Sequence, residues 1–160
     1  MQDFSHIKPD TYNTVIGIDY GFNDPTAIVQ ITRHDGCYYV KLIKYSSGLS
    51  TDTIAKTITE NNLTDYTIYF DSASPGVIND LKQRFGIYCK APRKEVMAGI
   101  LWCKQQPLIV DTNSERIIED LQNYSWEKDR NGNILDKPDN KLHEHSHTMD
   151  AMRYAMCTVS

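Results

Sequence analysis

The stretch Thr14–Tyr20, TVIGIDY, with the turn Gly21-Phe22-Asn23-Asp24-Pro25 behind it, decides how this chain is read. Val15, Ile16 and Ile18 suit a buried strand, yet the run ends in a carboxylate, Asp19. A carboxylate among apolar neighbours is costly unless it is paired or metal-bound. Strand alternation puts Gly17, Asp19 and Gly21 on one face, where the glycines leave room for a ligand backbone or a metal. The plainer alternative is that Asp19 only starts the turn before Pro25. Asp24 either orients water on a metal or, the commoner role, forms that turn.

Outward from this strand, Thr26–Arg33 and Cys37–Ser46 are two more strands, joined through Asp35-Gly36 as a hairpin. Ser50 then caps a helix with Ile54, Ile58 and Leu63 at helical spacing. Thr67–Asp71 (TIYFD) is a short strand, Pro75 opens a second helix along Val77, Ile78, Leu81 and Phe85, and Gly86 ends it. Ile87–Ala91 reads as a fifth strand, Val96–Lys104 as helical and Leu108–Val110 as extended. Asn113 or Ser114 caps a helix through Tyr124, with Ile117, Ile118 and Leu121 facing inward. Residues 127–141 form a loop or an exposed hairpin around Asn131-Gly132-Asn133, and His145–Cys157 is helical with Met149, Met152 and Met156 in step. This order predicts an α/β fold with a mixed sheet of five or more strands, three antiparallel and then parallel, and helices on both faces. Residues 1–13 read as a linker or trimmed N-terminus, and residues 14–160 as one domain.

Composition sets bounds on function. The 160 residues, 40% of them apolar, suit a single core. A formal net charge of −4 implies that any grip on nucleic acid is local and weak. No apolar run reaches a membrane span, and MQDFSHIKPD lacks the regions of a signal peptide, so a cytoplasmic protein with no membrane partner is expected. Cys37, Cys89, Cys103 and Cys157 form no CxxC pair and read as free thiols.

Two further acids join Asp19. Asp71 ends the run Tyr69-Phe70-Asp71 just before a helix, where open α/β sheets place ligands; it or Ser72 alternatively caps that helix. Asp150 lies on the last helix with His147 and Arg153 each one turn away, an arrangement that is also ordinary on a surface. Together, two strand-end aspartates and one helical aspartate suit Mg²⁺ or Mn²⁺. A two-metal site clamps the attacking and leaving oxygens of a phosphodiester displacement. Lys90, Arg93 and Lys94 form the one tight basic cluster, read as phosphate contacts or as a solvated helix start. His143, His145 and His147 alternate, but nothing completes a zinc set with them. Trp102, Trp126, Tyr20 and Tyr154 read first as packing residues.

The segments GIDYGFNDPTAIV, YFDSASPGVINDLKQR and HTMDAMRYA together resemble the C-terminal nuclease domain of the large terminase subunit of tailed bacteriophages, over residues 14–157. That resemblance implies a ribonuclease H-like fold and an endodeoxyribonuclease that cuts concatemeric double-stranded DNA during genome packaging. It implies Asp19, Asp71 and Asp150 as metal-binding acids, two divalent cations, Mg²⁺ or Mn²⁺, and His147 beside the site. It also implies an ATPase domain in the same parent chain, a small terminase subunit and a portal protein as partners, and action in the bacterial host cytoplasm. The chain itself has no GxxxxGK[ST] loop. The alternatives are a Holliday-junction resolvase or transposase-like nuclease on the same fold, a sugar-kinase or actin-like ATPase, and a non-catalytic docking module of a packaging motor.

Overall fold

In a computed structural model, the chain is described over residues 9–10, 12–21, 25–71, 75–91, 108–111, 114–123, 126–128, 134–138, 148–152 and 155. The hairpin that opens the fold follows from its turn. Asp35 and Gly36 both take positive φ, 50° and 76°, which matches the twist of the strands they join. Thus β2 (Thr26–His34) and β3 (Cys37–Ser46) pair antiparallel from His34↔Cys37 outward, and β2 pairs antiparallel with β1 (Thr14–Asp19).

The chain then crosses to the far side of β1. Ser50 caps α1 (Thr51–Glu60) by accepting from the Thr53 amide at 3.2 Å. The helix stops earlier than the apolar spacing suggested: Asn62 turns left-handed, φ 56°, and Leu63 lies just beyond the end. Leu63 donates its amide to the Ile58 carbonyl and is itself fully buried. β4 (Thr67–Phe70) adds parallel to β1. α2 (Pro75–Phe85) leads to β5 (Cys89–Lys90), parallel to β4 and shorter than the run Ile87–Ala91. β6 (Leu108–Val110) adds parallel to β3 at the opposite edge. The sheet order is β5-β4-β1-β2-β3-β6, with β2 the strand that runs against the rest. The expected meander and parallel neighbours are therefore present.

Strand alternation divides the core in two. Ile16, Ile18, Ile28, Ile68 and Phe70 pack with Ile54 and Ile58 of α1 and Leu81 of α2. On the other side Ala27, Val29, Ile31 and Val40 pack with Ile117 of α3 (Glu115–Asn123) and with Met149, Ala151, Met152 and Ala155. Those last four belong to the helical residues 148–152 and 155, labelled α4. Ser114 precedes α3, but its hydroxyl accepts from the Leu42 amide on β3 at 2.8 Å and so ties the helix to the sheet. β7 (Trp126–Lys128) and β8 (Ile134–Pro138) form a separate antiparallel hairpin, as one of the two readings of residues 127–141 required. Among the described residues no helix is long and apolar enough to cross a membrane. Cys37 and Cys89 are free thiols; Cys103 and Cys157 lie outside the described residues, as does the Val96–Lys104 segment.

Candidate metal-binding acids at the sheet edge

Asp19 is the last residue of β1, and it is buried. Asp71 follows β4 directly, and its amide donates to the Ile18 carbonyl at 3.3 Å, which carries the β1–β4 ladder one step further. The register Gly17↔Tyr69 and Ile18↔Phe70 then sets Asp71 beside Asp19. Ile16, Ile18 and Phe70 face α1 and α2, so Asp19 and Asp71 belong to the other side of the sheet. Adjacent strands are about 4.8 Å apart, so two carboxylates share one small patch of that side.

Gly17 brings in the third acid. The space above it does not take a ligand, as its lack of a side chain had suggested; it takes the backbone of α4. A Cβ at Gly17 would stand 1.9 Å from the Ala151 carbonyl oxygen and 3.1 Å from the Ala155 Cβ. Asp150, half-buried and one residue before Ala151, is thereby held over the strand that ends in Asp19. Asp19, Asp71 and Asp150 each take part in further polar interactions. Among the described residues no three His, Cys, Asp or Glu side chains close into a group that could hold a metal. The backbone thus brings the three acids to one region without converging their carboxylates on a common point.

Tyr69 lies two residues before Asp71 on the same side, and burial pushes its phenol above the usual range, so it adds no negative charge beside the acids. Lys90 pairs with Tyr69 in register and is exposed on the edge strand. By strand geometry it stands roughly 8 Å from Asp71, Cα to Cα. Tyr20 packs against Phe70 with ring centroids 5.9 Å apart, which is the packing role expected of it. Asp24, Arg93, Lys94, His147, Arg153 and Tyr154 lie outside the described residues.

The family model for the terminase RNase H-like domain matches residues 19–157. The chain belongs to that family. Its relative in Escherichia phage T5, a terminase large subunit, is 28% identical over 159 residues; the match covers 94% of this chain and 36% of the T5 protein. The chain therefore spans about a third of that relative's length. Among solved structures, the large terminase nuclease domain of bacteriophage SPP1, with bound Mn, superposes with a TM-score of 0.79 at 25% identity, covering 96% of this chain and 93% of that one. The large terminase of a thermophilic bacteriophage, in complex with ATP-γ-S, gives 0.74 at 18% identity, covering 92% of this chain and 40% of that one. The family's RNase H-like fold is the mixed sheet described above.

Within this family fold, some polar residues near the acids escaped the sequence reading. Asp120 on α3 is fully buried, as is Thr148 on α4, which donates a hydrogen bond to it. A signal existed: Asp120 stands one turn from Ile117, on the stripe that faces inward, where a carboxylate needs a partner. Asp111, also buried, follows the apolar run Leu108–Val110 just as Asp19 ends β1. The topology removes it from the site, because β6 lies three strands from β1.

Proposed function

We propose that the chain is the nuclease domain of a phage large terminase that cuts concatemeric double-stranded DNA during genome packaging. The observation that carries this reading is the juxtaposition of Asp19 and Asp71 in register, with the helix of Asp150 seated on Gly17. Three hard oxygen donors fit Mg²⁺ or Mn²⁺ better than a soft metal, and the SPP1 relative was solved with Mn. Asp19, Asp71 and Asp150 would hold two such cations. When bound, such a pair polarises a scissile phosphate and stabilises the charge on the attacking and leaving oxygens. Asp19 and Asp71 stand on rigid strands and fix the position of the site. Lys90, with Arg93 and Lys94 close in sequence, supplies phosphate contacts on the flank of the acids. His147, three residues before Asp150 in sequence, would orient the reacting water, with Asp24, five residues after Asp19, in a supporting role.

Residues 14–160 form the domain, which belongs to a longer parent. That parent carries the packaging ATPase domain and works with a small terminase subunit and a portal protein in the bacterial cytoplasm. The T5 match, which covers 36% of that protein, and the ATP-γ-S complex of the thermophilic phage's large terminase support the longer parent with an ATPase domain.

The test is supercoiled plasmid incubated with the chain and Mn²⁺, Mg²⁺ or a chelator. Nicking is expected with either cation and is lost with chelator. Asp19→Asn keeps the shape, removes the charge and is expected to abolish nicking, with Asp71→Asn alike; circular dichroism confirms that each variant is folded. A folded Asp19→Asn protein that cuts at the wild-type rate would overturn the reading. A wild-type chain that neither nicks nor gains melting temperature with Mn²⁺ would point instead to a docking module.

A further inference from the structure

The helix that carries Asp150 is held at a second point, away from Gly17. Thr148, two residues before Asp150, is fully buried, and its hydroxyl donates to Oδ2 of Asp120 on α3. The other carboxylate oxygen of Asp120, Oδ1, lies 3.0 Å from Nε of Arg116, one turn back on the same helix. The Arg116 guanidinium in turn stands over the Tyr45 ring of β3, 4.6 Å from its centroid. A wholly buried carboxylate is therefore shared between a cation anchored on the sheet and a hydroxyl on the helix of the third acid.

Space filling does not require this arrangement. Ile117, Met149, Met152 and Ala155 already seal α3 and α4 against the sheet, and a buried ion pair contributes little net stability over apolar residues of the same volume. What it adds is direction. Apolar contacts permit a helix to slide or turn, whereas a hydrogen bond to a fixed carboxylate holds one register. We propose that Asp120 is a positioning residue of the acid site: through Thr148 it fixes the rotation and register of α4, and so the placement of Asp150 against Asp19 and Asp71. This inference rests on the cation-binding reading of those three acids. Groups hydrogen-bonded directly to a metal's ligands typically change affinity ten- to a hundred-fold when removed, and Thr148, which acts one step further back through the helix, belongs at the low end of that range.

The experiment compares wild type, Thr148→Val and Thr148→Ser in the 160-residue chain. Valine keeps the volume and removes the donor, while serine keeps the donor. The readouts are the Mn²⁺ concentration for half-maximal plasmid nicking, the rate at saturating Mn²⁺, and the rise in melting temperature with Mn²⁺. Thr148→Val is expected to raise the half-maximal Mn²⁺ concentration about ten-fold, with the saturated rate changed much less, and Thr148→Ser to restore the wild-type value. If the valine variant does not fold, Thr148→Ala takes its place with the same expectation. A folded variant with a lower metal-free melting temperature but a wild-type Mn²⁺ dependence would make the contact merely structural and overturn the proposal. A wild-type chain with no Mn²⁺ response overturns the cation reading itself, and this inference with it.

Discussion

Against one side of the sheet lie α1 and α2, over Ile16, Ile18, Ile28, Ile68 and Phe70; against the other lie α3 and α4, over Val29, Ile31 and Val40. The first side is sealed by Ile54, Ile58, Leu63 and Leu81, large apolar side chains that are fully buried. The second side also has an apolar core, but it carries buried Asp19 and the Asp120–Thr148 hydrogen bond. It also presses α4 onto a glycine so closely that a single Cβ would collide with backbone. Burial of apolar surface stabilises without direction. Hydrogen bonds to buried charge and backbone–backbone contact fix position. Both sides therefore contribute stability, and the second in addition sets where Asp150 stands.

Substitutions on the two sides should separate these roles. The largest effect on nicking is expected for Gly17→Ala. The new Cβ would meet the Ala151 carbonyl at 1.9 Å, so α4 must shift away from β1. We expect plasmid nicking to fall at least about ten-fold and stability to drop by about 3 kcal/mol, at the high end of overpacking costs. Wild-type nicking from this variant would mean that the seat of α4 does not govern the acids. On the opposite side, Leu81→Ala should cost roughly 2–5 kcal/mol in denaturant unfolding, while the Mn²⁺ dependence of nicking stays at the wild-type value below the melting transition. A changed Mn²⁺ dependence would show that the two sides are coupled through the sheet.

Smaller effects sharpen the contrast. Ser50→Ala removes the acceptor for the Thr53 amide at the start of α1 and should lower stability by about 1 kcal/mol, with nicking untouched. The smallest is a pH effect at Cys89, which packs beside the α1–α2 core and whose thiol burial pushes up to about 11. Burial favours the neutral thiol, so its contribution is fully present below the ordinary thiol range and is lost as pH rises through about 11. Melting temperatures between pH 8 and 11 should fall slightly more steeply for wild type than for Cys89→Ala. Equal slopes would place the thiol in contact with water.

Asp19 and Asp71 were legible because a β-branched run that ends in a carboxylate is locally anomalous, and the cost of burying charge demands a reason. The hairpin at Asp35-Gly36 and the cap at Ser50 were legible for a similar reason, since turn and cap chemistry act within a few residues. Asp111 shows the limit of that logic. It carries the same local signature, yet Val110 pairs with Val40, Val40 with Ile31 and Ile31 with Val15, so Asp111 sits level with Ile16 on the far edge. That places it about 10 Å short of the Asp19 level along the strands. Which strand-end acids share a site is a matter of strand order and register, and both are set by pairings between residues far apart in the chain.

The sequence by itself determined most of the described elements, the meander of β1 to β3 and the family, and it marked Asp19, Asp71 and Asp150 as candidates, because turn residues, periodicity and buried charge leave marks within a few residues. Only the tertiary structure decided that Asp71 stands beside Asp19, that Gly17 receives the backbone of α4, and that Asp120 reaches Thr148 across 28 positions. Those contacts join segments whose spacing along the chain carries no trace of their approach. Their geometry follows from the close packing of helices on a sheet, where the size of one side chain, or its absence, sets how near two backbones come.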